Sequence, residues 1–312
     1  MLTKPLLAVL GALAGFLLFG SAGALGAGAV LVNLFTPFPA ALLGMRVGPP
    51  WGAAAVGLTA AAVLATSGGA PALLYLVQFG LPAVLLPWLM VRGMRWDRAV
   101  VATLALVLAV GMVVLVVAAS GSGQSAPAFI DDQIDKEIDQ AVALMNELAG
   151  SEQPPAETEA FRAMAAEMGA FMRRAYPGML VAVCGALQLF TVGLLALAIR
   201  PGVLPGPAFA GWRSPEPLIW ALIAAGFAVA LTAEGLQSAA INVLIILLPV
   251  YFLQGLAVIE HFLKRKGLSL LLRGASYVLL LVVNPLPLIV TGIGVFDLWA
   301  DFRKPRLNSD ND

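Results

Sequence analysis

The chain reads as an all-α, polytopic transmembrane bundle of about eight or nine spans carrying an extracytoplasmic amphipathic helical hairpin as an insert. Three observations predict this. First, 60% of the 312 residues are hydrophobic and 12% are charged, about half the ~25% charged residues usual in a soluble domain. Mean hydropathy is +0.92. Second, apolar runs recur from end to end, many of them near the ~20 residues that cross a ~30 Å hydrocarbon core at 1.5 Å per residue. Third, lysines and arginines fall in alternate short loops, the pattern that cytoplasmic loops impose.

The candidate spans are residues 5–25, 28–43, 51–66, 71–91, 99–119, 177–199, 218–236, 239–262 and 275–295. The second and third are interrupted by Pro37, Pro39, Pro49 and Pro50, and proline removes a helix hydrogen bond wherever it falls inside a helix. At the start, Lys4, an apolar run and Ser21-Ala22-Gly23-Ala24 resemble a secretory signal. The spans that follow make it an uncleaved signal-anchor. Four membrane and polar regions follow: an N-terminal membrane domain (1–119), the acidic insert (120–176), a C-terminal membrane domain (177–302) and a polar tail (303–312).

Lys4, Arg46, Arg92, Arg95, Arg98, Arg200, Arg213, Lys264, Arg265, Lys266 and Arg273 all fall on one side if spans alternate. That side is cytoplasmic by the positive-inside rule, which places the N-terminus inside. The last apolar run breaks the alternation. A single crossing would put Arg303, Lys304 and Arg306 outside. Asn284-Pro285-Leu286-Pro287 sits mid-run, so a broken or re-entrant hairpin there returns the tail to the cytoplasm.

The insert differs from its surroundings. Between 120 and 176 lie Asp131, Asp132, Asp135, Glu137, Asp139, Glu147, Glu152, Glu157, Glu159 and Glu167, against Lys136, Arg162, Arg173 and Arg174. Phe129, Ile130, Ile134, Ile138, Val142, Met145 and Leu148 recur at helical spacing. After Gly150 and Pro154-Pro155, a second stripe follows (Phe161, Met164, Met168, Phe171, Met172, Tyr176) that can run directly into span six. Either the two stripes bury each other, or the hairpin is a lid over the membrane domain or a Met-rich docking face. An acidic polar face does not suit anionic headgroups.

Two kinds of residue are candidates for function. Small residues at four-residue steps allow close helix approach: Gly11 and Gly15 in span one, Gly57 and Ala61 in span three. They serve internal packing or docking of another membrane subunit. Amides within spans are costly unless bonded or in a wet cavity. Gln78, Gln188, Asn242, Gln254 and Asn284 suit a neutral polar ligand, and equally suit interhelical bonds. Glu260 and His261 lie one turn from Lys264-Arg265-Lys266, where an interfacial ion pair is the simplest account.

The absences exclude several functions. There is no G-x-x-x-x-G-K-[ST] and no H-E-x-x-H. One His and one Cys cannot build a His/Cys metal site. No G-x-S-x-G turn or Cys–His pair points to a nucleophile. Buried carboxylates for a pump are nearly missing, with Asp297 the nearest case. The expectation is therefore a non-enzyme with no catalytic residue, metal or cofactor. Its partners are the lipid bilayer, another membrane subunit and a small molecule of unknown identity. Net charge is zero, which argues against nucleic acid.

Three C-terminal stretches carry a resemblance: Gly211-Trp212-Arg213-Ser214-Pro215, the run from Tyr251 through Gln254, Gly255, Glu260 and His261 to Gly267, and Phe296-Asp297-Leu298-Trp299-Ala300-Asp301-Phe302-Arg303-Lys304. With the five-span, insert, four-span plan, the chain resembles the YybS-like bacterial integral-membrane family, a domain of unknown function. That family is loosely similar to the substrate-binding subunits of energy-coupling-factor transporters, in which a small-residue face on the first helix docks a coupling subunit. Gly11 and Gly15 match that face in kind. The resemblance also extends to membrane scaffolds of cell-shape machinery. It thus implies two functions: a solute-binding or transport component without its own ATPase, or a non-catalytic scaffold or assembly factor for envelope proteins. The topology makes a direct prediction: a compartment-sensitive reporter fused at Glu152 reports the extracytoplasmic side, and a cytoplasmic signal reverses the assignment.

Overall fold

The computed structural model describes residues 3–21, 29–149, 155–200, 202–231 and 234–304. All regular structure among them is helical. The helices are α1 (Lys4–Gly20), α2 (Ala29–Asn33), α3 (Phe38–Arg46), α4 (Pro49–Ser67), α5 (Gly69–Tyr75), a π-turn (Leu76–Gly80), α6 (Leu81–Val91), α7 (Trp96–Gly121), α8 (Ala126–Ala149), α9 (Pro155–Ala198), α10 (Leu218–Leu231), α11 (Glu234–Arg265), α12 (Leu270–Val282) and α13 (Leu286–Ala300). A short 3-10 turn, Phe209–Gly211, precedes α10.

Among the described residues, five helical stretches are long and apolar enough to cross a membrane: Pro49–Ser67, Gly69–Val91, Trp96–Gly121, Glu159–Ala198 and Gly235–Arg265. The broken pair α12–α13, bent by 104°, makes a sixth if it is one span. The other segments in the expected count of eight or nine are shorter. α1 and α10 have 17 and 14 residues. The apolar run 28–43 does not form one helix. A turn at 34–37 separates the five-residue α2 from the nine-residue α3, where Pro37 and Pro39 deny two backbone donors to a continuous helix. In the acidic segment, α8 is a single 24-residue helix. The second stripe and span six are one 44-residue helix, α9. The expected turn at 150–154, with Glu152, lies outside the described residues.

By contacts the chain divides into two units, Met1–Glu137 with Val183–Gly206, and Ile138–Ala182 with Pro207–Asp312. These bounds cut across the four regions expected from composition.

In the first unit, small residues let backbones meet. A Cβ on Gly11 would lie 3.5 Å from Ala55 Cβ, and one on Gly15 3.1 Å from Thr59 Oγ1. Thr59 donates back to its own helix at Ala55 O (3.0 Å) and across to Ala12 O (3.1 Å). The face of α1 that bears Gly11 and Gly15 is thus turned onto α4. Gly57 and Ala61, on the other side of α4, are exposed, and a Cβ on Gly57 meets nothing within 4 Å. α3 approaches α4 just as closely, since a Cβ on Gly52 would come within 2.8 Å of Ala40 O. Phe19 stands edge-on to Tyr75 and Phe79, at 5.4 and 5.8 Å between centroids. Leu86, Ala41, Ala55, Ala99 and Leu195 are fully buried around them. The 199–206 loop is tied to the start of α7 by the Trp96 N–H on Pro205 O, 2.9 Å.

In the second unit, α11 is the central helix. α10 rests on it through Ile219, Leu247 and Tyr251. α13 runs back along it, because Val290 meets Gly255 while Gly294 meets Tyr251. A Cβ on Gly255 would fall 1.9 Å from Val290 O, and one on Gly294 1.9 Å from Tyr251 O. No side chain fits at either position. Gly255→Leu or Gly294→Leu is therefore expected to prise α13 from α11 and cost at least the ~1–3 kcal/mol of a typical overpacked site. Gly226→Ala, where a Cβ meets nothing, is the control. Thermal unfolding in detergent checks the contrast.

Candidate functional site

The five candidate amides do not form one site. Gln78 and Gln188 belong to the first unit, and Asn242, Gln254 and Asn284 to the second. Asn284 is exposed at the break between α12 and α13.

Asn242 acts between helices. Pro177 lies inside α9. One residue further on, the Gly178 N–H donates to Asn242 Oδ1 at 2.6 Å. Asn242 Nδ2 donates to Arg174 O at 2.7 Å and to Ser238 O at 2.8 Å. Gly178 N–H and Arg174 C=O are the pair that an uninterrupted helix would join. The Asn242 amide stands between them and serves both. Only glycine admits it, since a Cβ at 178 would lie 2.9 Å from Asn242 Oδ1.

Gln254 sits in a buried polar chain. Its Oε1 accepts from the Ser214 N–H (3.1 Å) and hydroxyl (2.5 Å), and its Nε2 donates to Asp297 Oδ2 at 3.3 Å. Arg303 Nη2 meets the same Oδ2 at 2.5 Å, while Nη1 donates to Ala210 O and Trp212 O at 3.0 and 2.9 Å. Gln254 and Asp297 are completely buried, and the Arg303 side chain is 7% exposed. α13 ends at Asp301 in a left-handed conformation, which turns the chain so that Arg303 reaches back to Asp297. Asp301 itself pairs with Arg213 and, at 2.7 Å, with Lys304. Hydrogen bonds from Lys304 and Arg213 hold its carboxyl below the ordinary aspartate range. The three stretches that carry the sequence resemblance thus converge on one network. The sequence marked Asp297 as the nearest case of a buried carboxylate but did not show its partner. The signal was available, as one buried-type acid and one base lie six residues apart around a helix end.

A second charged cluster closes the far end of α11. Glu260, almost fully buried, pairs with Arg273 at 2.6 Å and Lys264 at 3.2 Å and accepts from the Tyr277 hydroxyl. The ion pair expected between Glu260 and the Lys264-Arg265-Lys266 run is present through Lys264, with Arg273 as an added partner.

The first unit holds a cavity of about 910 Å³. Phe16, Phe19 and Phe79 supply apolar walls, and Asn33, Thr66 and Gln78 supply polar groups. Among the described residues, no ionisable side chain lines it. The π-turn Leu76–Gly80 presents both Gln78 and Phe79. Pro82 lacks the N–H that would serve the Gln78 carbonyl in an α-helix, and the Leu81 N–H bonds instead to Leu76 O, five residues back. Asn33 Oδ1 has no hydrogen-bond partner among the described residues. Leu187 lies in the wall, and its neighbour Gln188 is 1% exposed with neither amide atom bonded to another described residue. Among the described residues no His, Cys, Asp or Glu cluster could hold a metal.

The Asp297–Arg303 pair makes a stability prediction. Removing one member of a buried pair strands the other charge, at about 3–5 kcal/mol. Asp297→Leu and Arg303→Met are each expected to destabilise by about that much. The double variant is expected to recover most of the loss, as read by a denaturation double-mutant cycle.

No curated protein and no solved structure matches the chain. The family described as "Predicted membrane protein (DUF2232)" matches residues 13–298. That match runs from within α1 to within α13, through both units and through the Gln254–Asp297 network, and the chain belongs to this family of predicted membrane proteins.

Proposed function

We propose that the protein is a non-catalytic solute-binding component of a transport process, holding an uncharged and largely apolar small molecule in its first unit. The observation that carries this reading is the cavity walled by Phe16, Phe19 and Phe79 and dotted with Asn33, Thr66 and Gln78. Its volume of about 910 Å³ falls within the ~300–1,000 Å³ of small-molecule sites, which are mostly apolar with a few placed polar groups. A lining without charge matches a neutral ligand. The π-turn that carries Gln78 adds support, because such turns inside helices are frequent at functional sites. With no nucleotide-binding loop in the sequence, the energy for transport comes from a separate protein.

A second reading, a membrane scaffold, draws on α4. Its small residues Gly57 and Ala61 are exposed while Gly11 and Gly15 are occupied within the unit. The exposed pair would be the docking face for another membrane subunit. The resemblance to a bacterial family points to the bacterial inner membrane, and the charge pattern of the loops favours a cytoplasmic N-terminus with α8 and the start of α9 outside.

Solvent extraction of the purified protein followed by mass spectrometry tests the first reading. A retained small molecule that stabilises the protein against heat is expected. Gln78→Leu, which removes an amide from the cavity wall, is expected to weaken its binding by about tenfold, the worth of one buried hydrogen bond. Asn284→Ala, in the other unit and exposed, leaves it unchanged. A preparation free of small molecules but joined to a second membrane protein through α4 favours the scaffold instead.

A further inference from the structure

α12 is unlike the other apolar helices. Its 13 residues rise only ~20 Å, short of the ~30 Å hydrocarbon core. α13 returns along α11, and α12 meets α13 at 104°. α12 therefore lies across the axis of α11, the 32-residue apolar helix that defines the direction of crossing.

Its two faces differ sharply. Arg273 and Tyr277 hold one edge to Glu260 at the end of α11. The opposite stripe, Leu271, Val278 and Val282, is 82%, 63% and 70% exposed. No residue of α12 is buried. The turn that leads into α12 carries Lys264, Arg265 and Lys266, and Arg265 and Lys266 are exposed. A short helix with one long apolar stripe, a polar edge and adjacent cations has the pattern of a helix lying in a membrane interface.

We propose that α12 is an in-plane interfacial helix whose apolar stripe enters the acyl chains while Arg265 and Lys266 bind anionic phospholipid headgroups of the adjoining leaflet. Two features select lipid as the occupant. The stripe is uniformly aliphatic and continuous with the apolar exterior of α13, where Leu288 and Ile289 are also exposed. The turn that leads into the helix is cationic through the exposed Arg265 and Lys266, complementary to anionic headgroups and opposite in sign to the acidic α8. The Glu260 cluster sets the height of the helix, because it fixes Arg273 and Tyr277 to the last turns of α11.

Depth measurement on the full chain in nanodiscs decides the orientation. Spin labels at Leu271→Cys, Val278→Cys and Val282→Cys, in a Cys184→Ala background, are expected at one shallow depth, just below the headgroups. A spanning helix would instead separate the first and last labels by ~16 Å, and that result overturns the proposal. Labels that stay in water overturn it too, and point to a protein partner for the stripe. Native mass spectrometry reads the lipid preference. Retention of phosphatidylglycerol over phosphatidylcholine is expected to fall roughly fivefold for each cation removed in Arg265→Gln and Lys266→Gln. Equal retention in the variants overturns the headgroup assignment.

Discussion

Polar groups that leave water must find partners within the chain, and in this protein that constraint organises the second unit. Hydrocarbon offers no donor or acceptor, so an unpaired amide or charge there costs several kcal/mol. The Asn242 amide meets the constraint at a proline, serving a carbonyl and an N–H from adjacent turns of α9. The Gln254–Asp297–Arg303 chain meets most of it at the end of α13, drawing on the 209–214 loop for a donor to Gln254 and two acceptors for Arg303, with Asp297 Oδ1 and Arg303 Nε left without partners among the described residues. In both places a side chain replaces what regular helix geometry would have supplied. Each also ties together segments far apart in sequence, so the price of burying a polar group becomes a source of specificity.

Once the polar groups are paired, packing depends on how near the backbones come. Lipid tails are as apolar as leucine, so helices gain little by hiding leucine from them. Contact between main chains does the holding instead. Gly255 and Gly294 place α11 and α13 so close that neither could carry a methyl group. Gly52 does the same for α3 against α4, at 2.8 Å from Ala40 O, while Gly11 and Gly15 bring α1 to α4 at the wider 3.5 and 3.1 Å, against alanine and threonine side chains. Large side chains accordingly face outward along most helices, as Leu17, Val101, Val117 and Leu231 do.

Much of this was legible in the sequence, and the limits have physical causes. Hydropathy identified the helical, membrane-embedded class, because length and apolarity are local properties. The prolines at 37 and 39 marked a weak span, and the helix indeed divides there. The amide positions were visible as costly groups, but sequence spacing alone could not say which were bonded. Asn242 and Gln254 looked alike as letters. Their partners, Gly178 and Asp297, are 64 and 43 residues distant, and pairing at such range is a property of the packed fold. The sequence placed Gly11 and Gly15 on a close-contact face without revealing that α4 occupies it. The π-turn carried no warning beyond Pro82, since its one-residue excess leaves hydropathy periodicity almost unchanged.

That excess has a geometric consequence. Successive residues of a helix are offset by about 100°, so one additional residue inside the turn at Leu76–Gly80 indexes every later position of α6 by that angle. Leu86, Pro87 and Met90 face inward, and Trp88 lies outward beneath the Arg92 guanidinium, only because the extra residue is counted. The turn is thus the angular reference of α6, and a deletion of a single residue there would present a different side of the helix to the core while altering none of its letters.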